Sequence, residues 1–91
     1  MTDDKILLNL LAYQKKLEEL NIPSKQFPER ALTPNKTEAL AHCQAMIEQV
    51  PIFLKESQHD KAERWFGFIQ ACLWQNGVYS IYDLKIHNSQ F

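Results

Sequence analysis

Residues 61–88 read KAERWFGFIQACLWQNGVYSIYDLKIHN, and this stretch decides the fold. Its first half is apolar at helical spacing: Ala62, Trp65, Phe66, Ile69, Cys72 and Leu73. That spacing makes a wide helical face and not an alternating strand. Asn76-Gly77 stops the helix, because glycine enters the left-handed conformation without steric cost. Ser80-Ile81-Tyr82-Asp83 then reads as a capping box, with Tyr79 and Leu84 placed for a hydrophobic staple. The stretch therefore predicts a helix, a tight turn and a short second helix.

Working outward, the N-terminal side carries the same periodicity. Thr2 or Asp3 caps a first helix with an acidic opening turn, which suits the helix dipole. Ile6, Leu7, Leu10, Leu11, Leu17 and Leu20 form its stripe, widened by Leu8 and Tyr13. Such width implies burial on more than one side, or an oligomer seam. Asn21 and Pro23 end the helix. Residues 21–33, NIPSKQFPERALT, form a connector in which Pro23 and Pro28 forbid a regular helix. Ile22, Phe27 and Leu32 make it too apolar for a free linker, so it is expected to pack as an ordered strap. Lys25, Arg30 and Lys36 outnumber Glu29, which leaves two readings open: a solvated loop or an anion-contacting one.

Thr33-Pro34 reads as the start of the second helix, with threonine as cap and proline at the first helical position. Leu40, Cys43, Met46, Ile47, Val50 and Phe53 repeat at helical spacing. Pro51 interrupts this run and predicts a kink, or a break near Val50 followed by one more turn. Lys55 to Asp60 is a polar turn, with Ser57 or Asp60 as candidate caps for the third helix. The expected architecture is an all-α, small helical bundle of one domain, residues 1–91. Its helices are expected at about 3–20, 34–55, 59–76 and 81–88.

Composition narrows the function classes. The 91 residues carry a net charge of −1 and a charged fraction of 23%, ordinary for one globular domain. Six basic and six acidic residues lie in 1–45, and four and five in the remainder. No basic field favours nucleic acid. No apolar run reaches membrane-spanning length, and the acidic opening MTDDKILL has the wrong charge for a secretory signal, so a cytoplasmic setting is expected. Cys43 and Cys72 read as buried free thiols, with a disulfide between their helices as the alternative.

No motif carries a reaction. His42, His59 and His87 lack metal-ligand spacing, so no metal or cofactor is expected. His42 and Cys43 are adjacent on a helix and point apart. Two glycines cannot build a phosphate loop. The residues 81–88 would be the recognition helix of a helix-turn-helix, but one lysine and an aspartate equip it poorly for phosphates or base edges. A binding role therefore fits better than an enzyme. Lys61, Arg64 and Phe68 share a helix flank beside Trp65, an arrangement suited to a planar anion. The competing reading buries Trp65 and pairs Arg64 with Asp60. Gly67 costs about 1 kcal/mol against alanine inside a helix, tolerable where it admits a close neighbour or a second copy.

A longer pattern overlies these features: Lys61-Ala62, Arg64-Trp65, Gly67-Phe68-Ile69-Gln70, Leu73-Trp74, Gly77, Tyr79, Ile81, Leu84 and His87-Asn88, with Leu32-Thr33-Pro34 and Ala41-His42 upstream. It resembles a family of small bacteriophage proteins, whose C-terminal part reads roughly KAxRWLGFIQGxLWxxGxYTIxELxxHN. Phe66 and Ala71 depart from that pattern, where Leu and Gly are common. The resemblance implies a non-enzymatic phage accessory protein in the host bacterial cytoplasm. By class analogy it would counter host defence, as a homo-oligomer that sequesters a small anionic, nucleotide-type immune signal. The expected ligand set is Lys25, Arg30, Lys61 and Arg64 for charge, Trp65 and Tyr79 for stacking, and His42, Gln70, His87 and Asn88 for hydrogen bonds. An inhibitor or adaptor acting on a host protein is the second reading, and a weak nucleic-acid regulator the third.

Overall fold

The described residues form four helices: α1 (Asp3–Glu19), α2 (Lys36–Lys55), α3 (His59–Gln75) and α4 (Ile81–Asn88). The computed structural model describes residues 1–89; the last two positions of the expected domain lie outside the described residues. No strand occurs among them. None of the helices is long and apolar enough to cross a membrane.

The first three helices end by one device. Asn21, Ser57 and Gly77 each adopt a left-handed backbone, with φ of 59°, 60° and 75°. Behind each, the next amide reaches back to a carbonyl of the last turn: Ile22 to Leu17, Gln58 to Phe53 and Val78 to Leu73. These are Schellman motifs, which satisfy carbonyls that a helix end leaves open. Ser57 thus ends α2 instead of capping α3. Asp60 is not a cap either, because α3 starts from Gln58 without a side-chain cap.

Helix starts follow the capping rules, with one correction. Thr2 accepts from the Lys5 amide, and Ser80 and Asp83 form the expected box. At α2 the cap is Asn35, not Thr33: the Asn35 side chain accepts from the Glu38 amide, and Glu38 accepts from the Asn35 amide. Thr33 has φ of 53°, whereas a cap residue needs extended geometry. Helix α2 also runs through Pro51 to Lys55 without the break allowed near Val50.

The core collects Ile6, Leu10, Tyr13 and Leu17 from α1, six residues of α2 from Leu40 to Phe53, Ala62, Phe66, Ile69 and Leu73 from α3, and Leu84 from α4. Helix α2 packs chiefly on α3, with α1 against both. The buried stripe of α1 is narrow, at spacings of four, three and four. Leu7, Leu8, Leu11 and Leu20 are exposed. Helix α4 likewise leaves Ile81, Tyr82 and Ile86 in solvent. The strap is ordered by two ties to α2: the Lys25 amide donates to the Ala41 carbonyl, and the Phe27 amide to His42 Nδ1. Ile22 and Phe27 are partly covered, but Leu32 is 84% exposed, against the expectation that it needs cover.

Candidate functional site

The sequence-expected ligand residues separate into two regions and an outlying groove. The first region is a closed polar cluster where α1, α3 and α4 meet. Gln70 donates to the Tyr13 hydroxyl at 2.9 Å and to Asn88 Oδ1 at 2.8 Å. The Asn88 amide returns a bond to Gln70 Oε1 at 3.0 Å. The Tyr13 hydroxyl stands 2.8 Å from His87 Nδ1. That hydroxyl accepts from Gln70, which leaves its own proton available to His87 Nδ1. Asn9 closes the end by donating to the His87 carbonyl at 2.9 Å. Tyr79 sets its ring edge against His87, with centroids 4.9 Å apart. Burial pushes the Tyr13 hydroxyl up to about 12 and raises Tyr79 as well.

This cluster joins Gln70, Tyr79, His87 and Asn88, four residues of the expected ligand set. Gln70 bonds there to Tyr13 and Asn88, His87 meets the Tyr13 hydroxyl through Nδ1, and Tyr79 joins by ring contact. Tyr13 is its centre, and sequence reasoning gave that residue only a packing role. The signal was present: Tyr13 falls three after Leu10 and four before Leu17, on the buried stripe, where a hydroxyl needs an interior partner.

The second region is a cavity of about 740 Å³ between the strap and the α2–α3 face. Phe27, Pro28 and Pro34 of the connecting segment form one side. His42, Trp65, Phe68 and Cys72 form the helical side. Glu29 is the one charged residue of the wall. His42 holds the strap through Nδ1, so its imidazole is the tautomer with the proton on Nε2. Trp65 is half-buried and meets the Phe53 ring edge-on at 4.7 Å. Lys61 Nζ sits 4.4 Å from the Phe53 ring centre and 5.8 Å from that of Trp65. The cation beside the tryptophan is therefore Lys61. Arg64 lies elsewhere, in a shallow polar groove with Ser57, Gln58, His59, Asp60 and Lys61. Among the described residues no ion pair joins Arg64 to Asp60. Lys25 and Arg30 are exposed on the strap.

The two cysteines are neighbours, which their spacing in sequence did not disclose. Both are free. The two thiols interact across the α2–α3 contact. The nearby Cys72, and then burial, push Cys43 far above the ordinary thiol range. Cys72 is lowered, first by its Cys43 neighbour and then by the Asn76 amide, which donates to its sulfur at 3.5 Å.

At the other end of the bundle, His59 bridges Asp3 at 2.6 Å and Glu63 at 3.2 Å. The Asp3 bond is the main cause of its raised pKa. No group of three or more histidine, cysteine or carboxylate side chains suited to a metal occurs among the described residues. Comparison of the chain with family models, with curated proteins and with solved structures finds no match.

Proposed function

We propose that the chain is a non-enzymatic binding protein that holds a small planar ligand of nucleotide type in the cavity beneath the strap. The observation that carries this reading is the wall itself. Phe27, Trp65 and Phe68 line it with aromatic surface suited to a flat heterocycle, and His42 adds a polar group. The wall contains Glu29 and no cation, so an anionic tail belongs outside it. Lys25 and Arg30 flank the strap residues of the wall in the chain, and Lys61 Nζ sits 5.8 Å from the Trp65 ring centre. The ligand set thus contracts to His42 and Trp65 with those three cations. Gln70, Tyr79, His87 and Asn88 serve the fold instead.

The setting follows from the phage-family resemblance: an accessory protein in the host bacterial cytoplasm that counters defence by sequestering a signal, working as a homo-oligomer. Titration of the protein with nucleotides tests the binding step through Trp65 fluorescence. Native mass spectrometry of protein from infected or defence-active cells tests the rest, since one spectrum reports subunit number and retained ligand. Absence of any nucleotide response in both experiments overturns the reading.

A second reading has its own observation. Leu7, Leu8 and Leu11 on α1, and Ile81, Tyr82 and Ile86 on α4, are exposed. Such surfaces suit an inhibitor or adaptor bound to a host protein. That reading is favoured by a stable protein complex recovered without a small ligand.

A further inference from the structure

We propose that Cys72 and Cys43 form a thiol pair that undergoes exchange with small disulfides entering the strap cavity, Cys72 as the attacking sulfur and Cys43 as the resolving one.

Placement makes the argument. Cys72 lies on the cavity wall and is partly exposed, whereas Cys43 is fully buried. A small molecule in the cavity therefore meets Cys72 and not Cys43. Cys72 Sγ stands 3.6 Å from the Ala39 carbonyl. That carbonyl belongs to the turn just before Cys43, where a helical side chain at position 43 leans, because side chains on a helix tilt toward its N-terminus. The two sulfurs are thus neighbours across the α2–α3 contact. Asn76 supplies the activating donor: its amide reaches Cys72 Sγ at 3.5 Å while anchored on the Cys72 carbonyl at 2.8 Å. The Ala39 carbonyl, 3.6 Å from the same sulfur, accepts from the thiol and acts in the opposite sense on a thiolate. The net direction agrees, with Cys72 lowered and Cys43 raised. A lowered, accessible thiol beside a buried one is the asymmetry that exchange chemistry needs.

The steps balance as follows. Cys72 loses its proton to solvent, and its thiolate attacks one sulfur of a symmetrical disulfide RSSR. A Cys72–SR bond forms and a thiolate RS⁻ leaves, taking up a proton. Cys43 then loses its proton and attacks Cys72 Sγ, expelling the second RS⁻. The protein dithiol is oxidised to one disulfide and RSSR is reduced to a pair of thiols. The product ties α2 to α3 and draws the Cys72 part of the cavity wall inward, so the redox state of the pair sets the shape of the cavity. This chemistry needs no cavity ligand, so its failure leaves the binding reading standing.

The test uses the full chain and hydroxyethyl disulfide, read by intact mass and by peptide mapping after acid quench. The wild-type protein is expected to lose a pair of hydrogen atoms without retaining an adduct. Cys43→Ala is expected to stop at one adduct on Cys72, reversible with dithiothreitol. Cys72→Ser is expected to react slower by more than about tenfold, because Cys43 is closed to solvent. A wild-type protein that keeps its adduct, or one in which Cys43 is modified first, overturns the proposal. Early time points on the wild-type chain alone decide the order of attack, so the outcome does not depend on how well either variant folds.

Discussion

The two polar regions of this bundle use similar side chains to opposite ends. In the α1–α3–α4 cluster, Tyr13, Gln70, His87 and Asn88 hydrogen-bond to one another along a line that runs from the buried Tyr13 and Gln70 out to the exposed Asn88. In the strap cavity, His42 spends one ring nitrogen on the Phe27 amide, and Trp65 and Cys72 are only partly covered. Both regions hold an imidazole and aromatic rings, and both lie against α3. The number of side chains already bonded to one another separates them: Gln70 and Asn88 are paired with each other and Tyr13 with both Gln70 and His87, whereas the cavity wall has the single His42 bond to the strap. A polar group whose bonds are complete inside the protein stabilises the fold, and a ligand gains little by displacing those bonds. A polar edge left on an apolar wall retains capacity for a guest.

The sharpest way to break this contrast is Tyr13→Ala. Tyr13 is fully buried, stacks near Phe66 and Tyr79, and carries the hydroxyl that links Gln70 to His87. Its truncation leaves a cavity and strands two polar partners, for an expected loss of about 4 kcal/mol. Urea unfolding measures this. The matching truncation Trp65→Ala, at the half-exposed cavity wall, is expected to cost less than half as much stability while abolishing ligand response. Equal destabilisation by the two variants would mean that the cavity wall is structural as well.

Alkaline unfolding probes the closed cluster without a mutation. The Tyr13 hydroxyl titrates near 12 in the folded protein against 10.0 for a free tyrosine. Its folded value is raised, so the folded state holds the proton more tightly than the unfolded state. The contribution is complete below pH 10 and falls away as pH climbs toward 12, by at most about 3 kcal/mol. The raised Tyr79 acts with the same sign. Tyr13→Phe is expected to remove most of this slope. A slope unchanged in that variant would place the titrating group elsewhere.

How much of this was legible in the sequence depended on range. The α3–turn–α4 unit was legible because its determinants are local: Gly77 needs only its own backbone freedom, and Ser80 and Asp83 lie three residues apart. The true start of α2 was legible too, in Asn35 and Glu38 at the same spacing, but Thr33-Pro34 offered a competing start through the preference for proline at the first helical position. The width of the α1 stripe was not legible. Leucines at 7, 8 and 11 look alike whether or not a neighbour covers them, and the covering helices come from distant sequence. The candidate site failed for the same reason. Gln70, His87 and Asn88 have ligand chemistry, and only a contact between residues 13 and 70 shows that this chemistry is already used. Cys43 and Cys72 became a pair only through the α2–α3 contact.

A smaller effect tests the open side. His42→Ala removes the acceptor of the Phe27 amide and leaves the Lys25–Ala41 tie in place. The global stability is expected to fall by about 1 kcal/mol or less, the worth of one partly exposed hydrogen bond. Exchange of the Phe27 amide hydrogen is expected to quicken about fivefold, while the amides of the α1 core stay protected. Equal acceleration at both places would mean that the strap and the core open as one unit.

The smallest effect asks whether the outer face of α3 is open in solution. Gly67 is exposed in mid-helix, and a Cβ built there meets nothing within 4 Å. Among the described residues nothing makes the close approach expected of this glycine. Glycine in that position sacrifices about 0.5–1 kcal/mol of helix stability relative to alanine. Gly67→Ala should recover it, raising the urea midpoint with an unchanged slope. The sign is the informative part. If a second copy of the chain sits on this face, the added methyl meets that copy, and the variant loses stability or subunits instead. Measuring the midpoint at several protein concentrations separates the two cases, because stability that depends on association rises with concentration and stability intrinsic to the helix does not.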